Sequence, residues 1–157
     1  MAEQVIDASV AIKWVVKGEP FRNKARQLLH DARLKGIALI GPPPLEYEVE
    51  SNLQRRLHRG HAAIAVVDAS LNAFYAIGVR IVTHPDIVRR AREIARQFNQ
   101  ERIYDSLYAA LAELRGCEFW TADKVFHDAV KSGAVVCEIS TRLLVRCTLA
   151  NAVYDYR

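Results

Sequence analysis

Short apolar or β-branched runs alternate along the chain with longer segments of helical period. Residues 4–7, 37–40, 79–83, 117–121 and 134–139 read as strands. The helical patterns fall at 10–16, 21–35, 45–59, 61–77, 87–98, 105–115 and 124–131. Gly36, Gly60, Gly78, Gly116 and Gly133 each follow such a pattern, where a residue free to adopt positive φ closes the last helical turn. The run Pro42-Pro43-Pro44 separates a strand from the next helix. Strand and helix in regular alternation predict an α/β fold of three layers, a parallel sheet of about five short strands with helices on both faces. No linker or repeat interrupts the pattern, so residues 1–140 are expected to form one domain. Residues 141–157 form a C-terminal tail with weak helical periodicity (Leu143, Leu144, Leu149, Val153), expected to pack on the domain or on a partner.

With 157 residues the chain is long enough to bury a core without disulfides or structural metal. Its three cysteines, Cys117, Cys137 and Cys147, are odd in number and widely spaced, which suits neither a disulfide framework nor a thiolate metal site. No secretory leader is visible, and no apolar stretch reaches the roughly 18 residues needed to span a bilayer. A cytoplasmic protein with no membrane partner is expected. The net charge of +4 tilts the chain toward a polyanionic partner. Gly-x-Gly and Gly-x-x-x-x-Gly-Lys are absent, so the common nucleotide-binding fingerprints are excluded. His58 and His61 read as a surface turn in place of a zinc site.

Ligands of parallel α/β sheets sit beyond the carboxyl ends of the strands. Asp7 ends the first strand and Asp123 follows the fourth, so both can project into one crevice, although an aspartate before a helix also serves as an N-cap. Asp105 stands at the start of a helix whose apolar stripe is Tyr104, Leu107, Tyr108 and Leu111, with the small Ala109 and Ala112 beside the acid. The helix at 45–59 carries Glu46, Glu48 and Glu50, and periodicity does not choose among them.

Four motifs in order, Val5-Ile6-Asp7-Ala8-Ser9-Val10, Tyr47-Glu48-Val49-Glu50-Ser51-Asn52-Leu53, Tyr104-Asp105-Ser106-Leu107-Tyr108-Ala109-Ala110-Leu111-Ala112 and Trp120-Thr121-Ala122-Asp123, resemble the PIN-domain nucleases. The likeness is greatest to the toxins of bacterial VapBC-type toxin–antitoxin pairs, and it spans residues 5–123. It implies a PIN-like fold, and an acidic cluster of Asp7, Glu48, Asp105 and Asp123, with Thr121 and Ser9 as supporting hydroxyls. The resemblance, not geometry, selects Glu48, and Glu46 or Glu50 stays open as an understudy.

Gathered carboxylates repel one another unless a cation neutralises them, and oxygen-only donors select Mg²⁺ or Mn²⁺. In the expected scheme Asp7, Asp105 and Asp123 are the metal ligands, while Glu48 orients or deprotonates the attacking water. The resemblance implies hydrolysis of RNA to a 5′-phosphate, a small antitoxin partner and a homodimer. The apolar faces of residues 62–76 also favour a dimer. Lys13 and Arg102 lie closest in sequence to the acids and are the candidate substrate-binding cations; Arg55, Arg56, Arg59, Arg89, Arg92 and Arg96 are further basic positions. Trp14 and Trp120 read as core residues ahead of base-stacking ones. Two other functions fit the same elements: a catalytically silent RNA- or protein-binding module, and an Mg²⁺-dependent phosphatase using a strand-end aspartate as nucleophile. Asp7-Ala8-Ser9 lacks the second acid that a haloacid-dehalogenase-type phosphatase would carry.

Overall fold

The computed structural model describes residues 2–130 together with the strands Val135–Ile139 and Val145–Leu149. In chain order the elements are β1 (Glu3–Ile6), α1 (Ala8–Val15), α2 (Arg22–Leu34), β2 (Ala38–Gly41), α3 (Pro44–His58), α4 (Ile64–Ile77) and β3 (Arg80–Ile81). There follow α5 (Ile87–Gln97), α6 (Tyr104–Arg115), β4 (Glu118–Thr121), α7 (Lys124–Val130), β5 (Val135–Ile139) and β6 (Val145–Leu149). Every helix and strand read from the hydrophobic pattern is present among the described residues, with its ends displaced by at most a few positions.

The strands form one sheet in the order β3-β2-β1-β4-β6-β5. β3, β2, β1 and β4 run parallel, with Val5 level with Ile40 on one side and with Phe119 on the other. The chain winds outward from β1 through β2 to β3, then crosses back to place β4 against the other edge of β1. The winding therefore reverses between β1 and β4, and the crevice above that point is where an open parallel sheet holds its ligands.

The sheet of about five short strands is present with a sixth, and one expectation changes: residues 145–149, in a tail of weak helical periodicity, form a strand antiparallel to both β4 and β5. Apolar Val145, Cys147 and Leu149 alternate with Arg146 and Thr148, a period of two that the helical count over Leu143, Leu144, Leu149 and Val153 obscured. What decides between the periods is a partner: β4 has an edge left open by β1, and pairing to it satisfies backbone groups that a short helix would satisfy internally. The other residues of 141–157, and Gly133, lie outside the described residues.

Packing explains which helices hold the sheet. Leu45, Val49 and Leu53 recur every four residues on α3 and are buried, each contributing about 1.5–3 kcal/mol of apolar burial. Gly41 ends β2 where an added Cβ would lie 2.5 Å from Leu45 Cδ2, so the helix can follow the strand this closely only because the side chain is absent. On α6 every residue from Ser106 to Ala112 is buried, and the alanines Ala109, Ala110 and Ala112 are what allow close contact on several sides. α5 buries Ile87, Ala91, Ile94 and Ala95, exposes Arg89, Arg92 and Arg96, and ties itself to α6 through Arg90, whose Nε–H donates to both Glu113 carboxylate oxygens at 2.9 Å. Gly78 and Gly116 take φ of 77° and 61° and close α4 and α6 in the left-handed conformation. Among the described residues no helix is long and apolar enough to cross a membrane.

Candidate active site

Asp7 and Asp123 leave the carboxyl ends of the two strands that flank the switch point. The Asp7 N–H donates to the Trp120 carbonyl at 3.2 Å, which continues the ladder by one residue and holds the two strand ends together. Both aspartates are helix caps as well. Asp7 Oδ1 accepts from the Val10 N–H at 3.0 Å, and Asp123 Oδ1 accepts from the Val125 and Phe126 N–H groups at 2.8 and 3.0 Å. Capping and site membership are thus compatible, because each cap engages one carboxylate oxygen. Asp105 is no cap: Ile103 holds that position, and Asp105 sits in the first turn of α6.

The two hydroxyls expected to support the cluster are built into it. Ser9 Oγ donates to Asp7 Oδ1 at 2.6 Å and accepts from the Ala122 N–H at 2.8 Å, so it stitches the start of α1 to the loop after β4. Thr121, fully buried, sets its hydroxyl where it favours the ionised Asp7 carboxylate, and that hydroxyl accepts from the Asp123 N–H at 2.9 Å.

The tertiary packing separates the three glutamates of α3. Glu48 accepts a 2.8 Å hydrogen bond from the Tyr108 hydroxyl and feels the charge of Asp105. Glu50 is exposed and accepts from the Tyr75 hydroxyl at 2.8 Å, and Glu46 acts on that same tyrosine. Glu46 and Glu50 therefore face α4, and Glu48 alone of the three joins the aspartates. Tyr108 had been read as an apolar-stripe residue. It is buried and stacks on Phe119, with ring centroids 6.1 Å apart, and its hydroxyl is the polar end that reaches Glu48. Its position three residues after Asp105, on the same face of α6, was the available signal.

Electrostatics ties the four acids together. Burial, opposed by the hydrogen bonds from Ser9, Thr121 and Val10 and reinforced by the charge of Asp105, pushes Asp7 up to about 7. Burial also raises Glu48, against the Tyr108 hydrogen bond and with the charge of Asp105. Asp105 is raised by the protein packed around it and by Asp123, although its tip is open to solvent. No lysine, arginine or histidine among the described residues pairs with any of the four.

Among the described residues no three His, Cys, Asp or Glu side chains converge as a ready-made coordination sphere. The chemistry of the donors nevertheless suits a hard divalent cation. All are oxygens, Asp7 is only 7% exposed and lacks a counter-charge, and Asp7 and Asp123 each keep one carboxylate oxygen out of their caps. Such an ion retains several waters, which relaxes the demand for convergent ligands.

A groove of about 640 Å³ opens beside the cluster, lined by Ser9, Lys13 and Glu19 near α1 and by Tyr47, Glu48, Asn52, Arg55 and Arg56 of α3. Lys13 therefore lies where a substrate-binding cation was expected. Arg102 is exposed and does not line the groove. Trp14 is core, with its Nε1–H donating to the Ala25 carbonyl at 2.7 Å. The exposed aromatic rings on the groove are Tyr47 and Tyr104, at 74% and 56% exposure; Tyr104, expected in the apolar stripe of α6, stands instead in the first turn, open to the groove.

A parallel α/β sheet with its winding reversed at β1 and β4, and acidic side chains gathered over that reversal, is the architecture of a PIN-like domain. The family model of the PIN domain matches residues 5–132, and the chain belongs to the PIN-domain family. VapC20 of Mycobacterium tuberculosis, a sarcin-ricin loop cleaving toxin, has a similar fold in its crystal structure, with a TM-score of 0.61 at 15% identity over 83% of this chain and 95% of that one. Comparison with curated protein sequences finds no match.

Proposed function

We propose that this chain is a metal-dependent endoribonuclease, acting in the cytoplasm as the toxin of a toxin–antitoxin pair. The observation that carries the reading is the electrostatic coupling of Asp7, Glu48, Asp105 and Asp123 at the switch point, with no cationic partner among the described residues and a groove lined by Lys13, Arg55 and Arg56 alongside. Membership of the PIN-domain family, and a fold shared with a toxin that cleaves the sarcin-ricin loop, support RNA as the substrate.

In this reading Asp7, Asp105 and Asp123 hold Mg²⁺ or Mn²⁺, with Ser9 and Thr121 fixing the Asp7 carboxylate. The bound ion supplies charge stabilisation at the scissile phosphate and a more acidic water. Glu48, oriented by Tyr108, accepts the proton of the attacking water, a role its raised pKa suits. Lys13 and the α3 arginines draw the RNA backbone against a site that is otherwise negative. The antitoxin and a second copy of the chain belong to the same proposal; the exposed Ile64, Val66 and Tyr75 of α4 offer apolar surface for contact.

The experiment is cleavage of a labelled structured RNA pool with Mg²⁺, Mn²⁺ or EDTA, by the wild type and by Asp7→Asn, Glu48→Gln, Asp105→Asn and Asp123→Asn. Cutting that needs metal and disappears in all four variants is expected. Wild-type protein that does not cut, or variants that cut equally well, would refute the reading.

A further inference from the structure

One acidic side chain of the groove belongs neither to the cluster nor to solvent. Glu19, in the loop between α1 and α2, places Oε2 3.4 Å from Lys13 Nζ and Oε1 2.5 Å from Arg56 Nη2. Arg56 is braced from behind, its Nε–H donating to Asn52 Oδ1 at 3.0 Å. The three charged side chains are only 12%, 19% and 29% exposed, so this is a partly desolvated arrangement and not a loose surface pair. All four residues line the groove that also holds Glu48 and Ser9.

An ammonium and a guanidinium converging on the two oxygens of one carboxylate form the arrangement that grips the two non-bridging oxygens of a phosphodiester. The loop that delivers Glu19 turns through Gly18, at a φ of 82° that glycine adopts freely, and ends on one strained residue, Phe21, whose φ is 60° at the N-cap of α2 with no side-chain cap bond. Charge points the same way: Lys13, Arg55 and Arg56 face Glu19 and Glu48 in the groove, so Glu19 cancels part of the attraction that an RNA strand would feel.

We propose that Lys13 and Arg56, braced by Asn52, form a phosphodiester subsite beside the acidic cluster, and that Glu19 occupies it in the free protein until a phosphate of the incoming strand displaces it. This rests on the nuclease reading and adds to it an internal competitor for substrate. Glu19 was not among the residues that sequence singled out, because the acid lies in a loop and its two partners come from different helices.

The test is binding of a fluorescein-labelled single-stranded RNA oligonucleotide in EDTA, followed by anisotropy across a salt series, with folding checked by thermal melts. Glu19→Gln is expected to bind about three- to tenfold tighter than wild type. The slope of log Kd against log salt should stay close to that of wild type, because once RNA is bound the same phosphate contact is made in both proteins. Glu19→Asp, too short to bridge both cations, should move the same way by less and serves if the glutamine variant does not fold. Arg56→Gln should weaken wild-type binding, and in the Glu19→Gln background it should abolish the gain. Unchanged or weaker binding by the folded Glu19 variants, or a gain that survives Arg56→Gln, would overturn the proposal. If wild type still binds and, with Mg²⁺, cuts RNA, the nuclease reading stands without it. If neither wild type nor any variant binds or cuts, both fall.

Discussion

Replacing Asp7 by asparagine should stabilise the metal-free protein while abolishing its cleavage of RNA. Asp7 is buried, and its pKa stands at about 7 against an ordinary value of 3.8. In the unfolded chain the carboxyl ionises near 4, whereas in the fold it keeps its proton to about 7. The native state thus binds more protons than the unfolded state across that window, and stability falls as pH rises from about 4 to 7. At about 1.4 kcal/mol for each tenfold change in proton affinity, the loss approaches 4 kcal/mol, a large part of the stability of a domain this size. Asparagine removes the charge and keeps the shape. Its Oδ1 can still accept from Ser9 and Val10, and its amide can donate to the Thr121 hydroxyl in place of the oxygen that accepted there. Allowing for imperfect replacement, a gain of about 2 kcal/mol is expected at pH 7.5 in EDTA, or roughly 4–8 °C in Tm. Thermal melts at pH 4.5 and 7.5 test this, and the difference between variant and wild type should nearly vanish at the lower pH, where both side chains are neutral in the fold. Mg²⁺ should raise the wild-type Tm at pH 7.5, raise it less at pH 5, and leave Asp7→Asn almost unmoved. A variant that melts at or below wild type at pH 7.5, or whose advantage persists unchanged at pH 4.5, would refute the reasoning.

Other perturbations probe separate parts of the structure. Gly41→Ala drives a Cβ to within 2.5 Å of the buried Leu45 and should cost about 1–3 kcal/mol, read as a lower urea midpoint with little change in slope. Tyr108→Phe removes the donor to Glu48, so cleavage should drop about tenfold or more; because that hydrogen bond lowers the Glu48 pKa, the acid limb of the pH–rate profile should move to higher pH. Glu48→Gln should lose activity, whereas Glu46→Gln and Glu50→Gln, on the face toward α4, should retain it within about twofold in the same assay. Ser9→Ala breaks the link between Asp7 and the loop after β4, and should weaken Mg²⁺-dependent thermal stabilisation more than it lowers metal-free stability.

The amino-acid pattern by itself determined the elements. Local periodicity, glycine helix ends and the proline-rich entry to α3 act within a few residues, and they are legible wherever a segment has one buried face. The acids proposed for the site were selected by the order of four motifs and the strand-end rule, although Asp7 and Asp123 could not be told from plain caps and in the structure are caps as well. Choosing Glu48 over Glu46 and Glu50 was beyond periodicity: Glu46 and Glu50 share one face of the helix and Glu48 lies on the other, and only the placement of α6 and α4 decides which face meets Tyr108 and which meets Tyr75. The bond from Tyr108 to Glu48 and that from Arg56 to Glu19 join residues 60 and 37 positions apart, and for Tyr108 the only local signal was its place one turn after Asp105. The strand at 145–149 required a free sheet edge that no local window contains. Local sequence specifies dihedral preference and the side that faces the core; which charged group meets which across the crevice depends on how separate elements pack, and that was decided only by the tertiary structure.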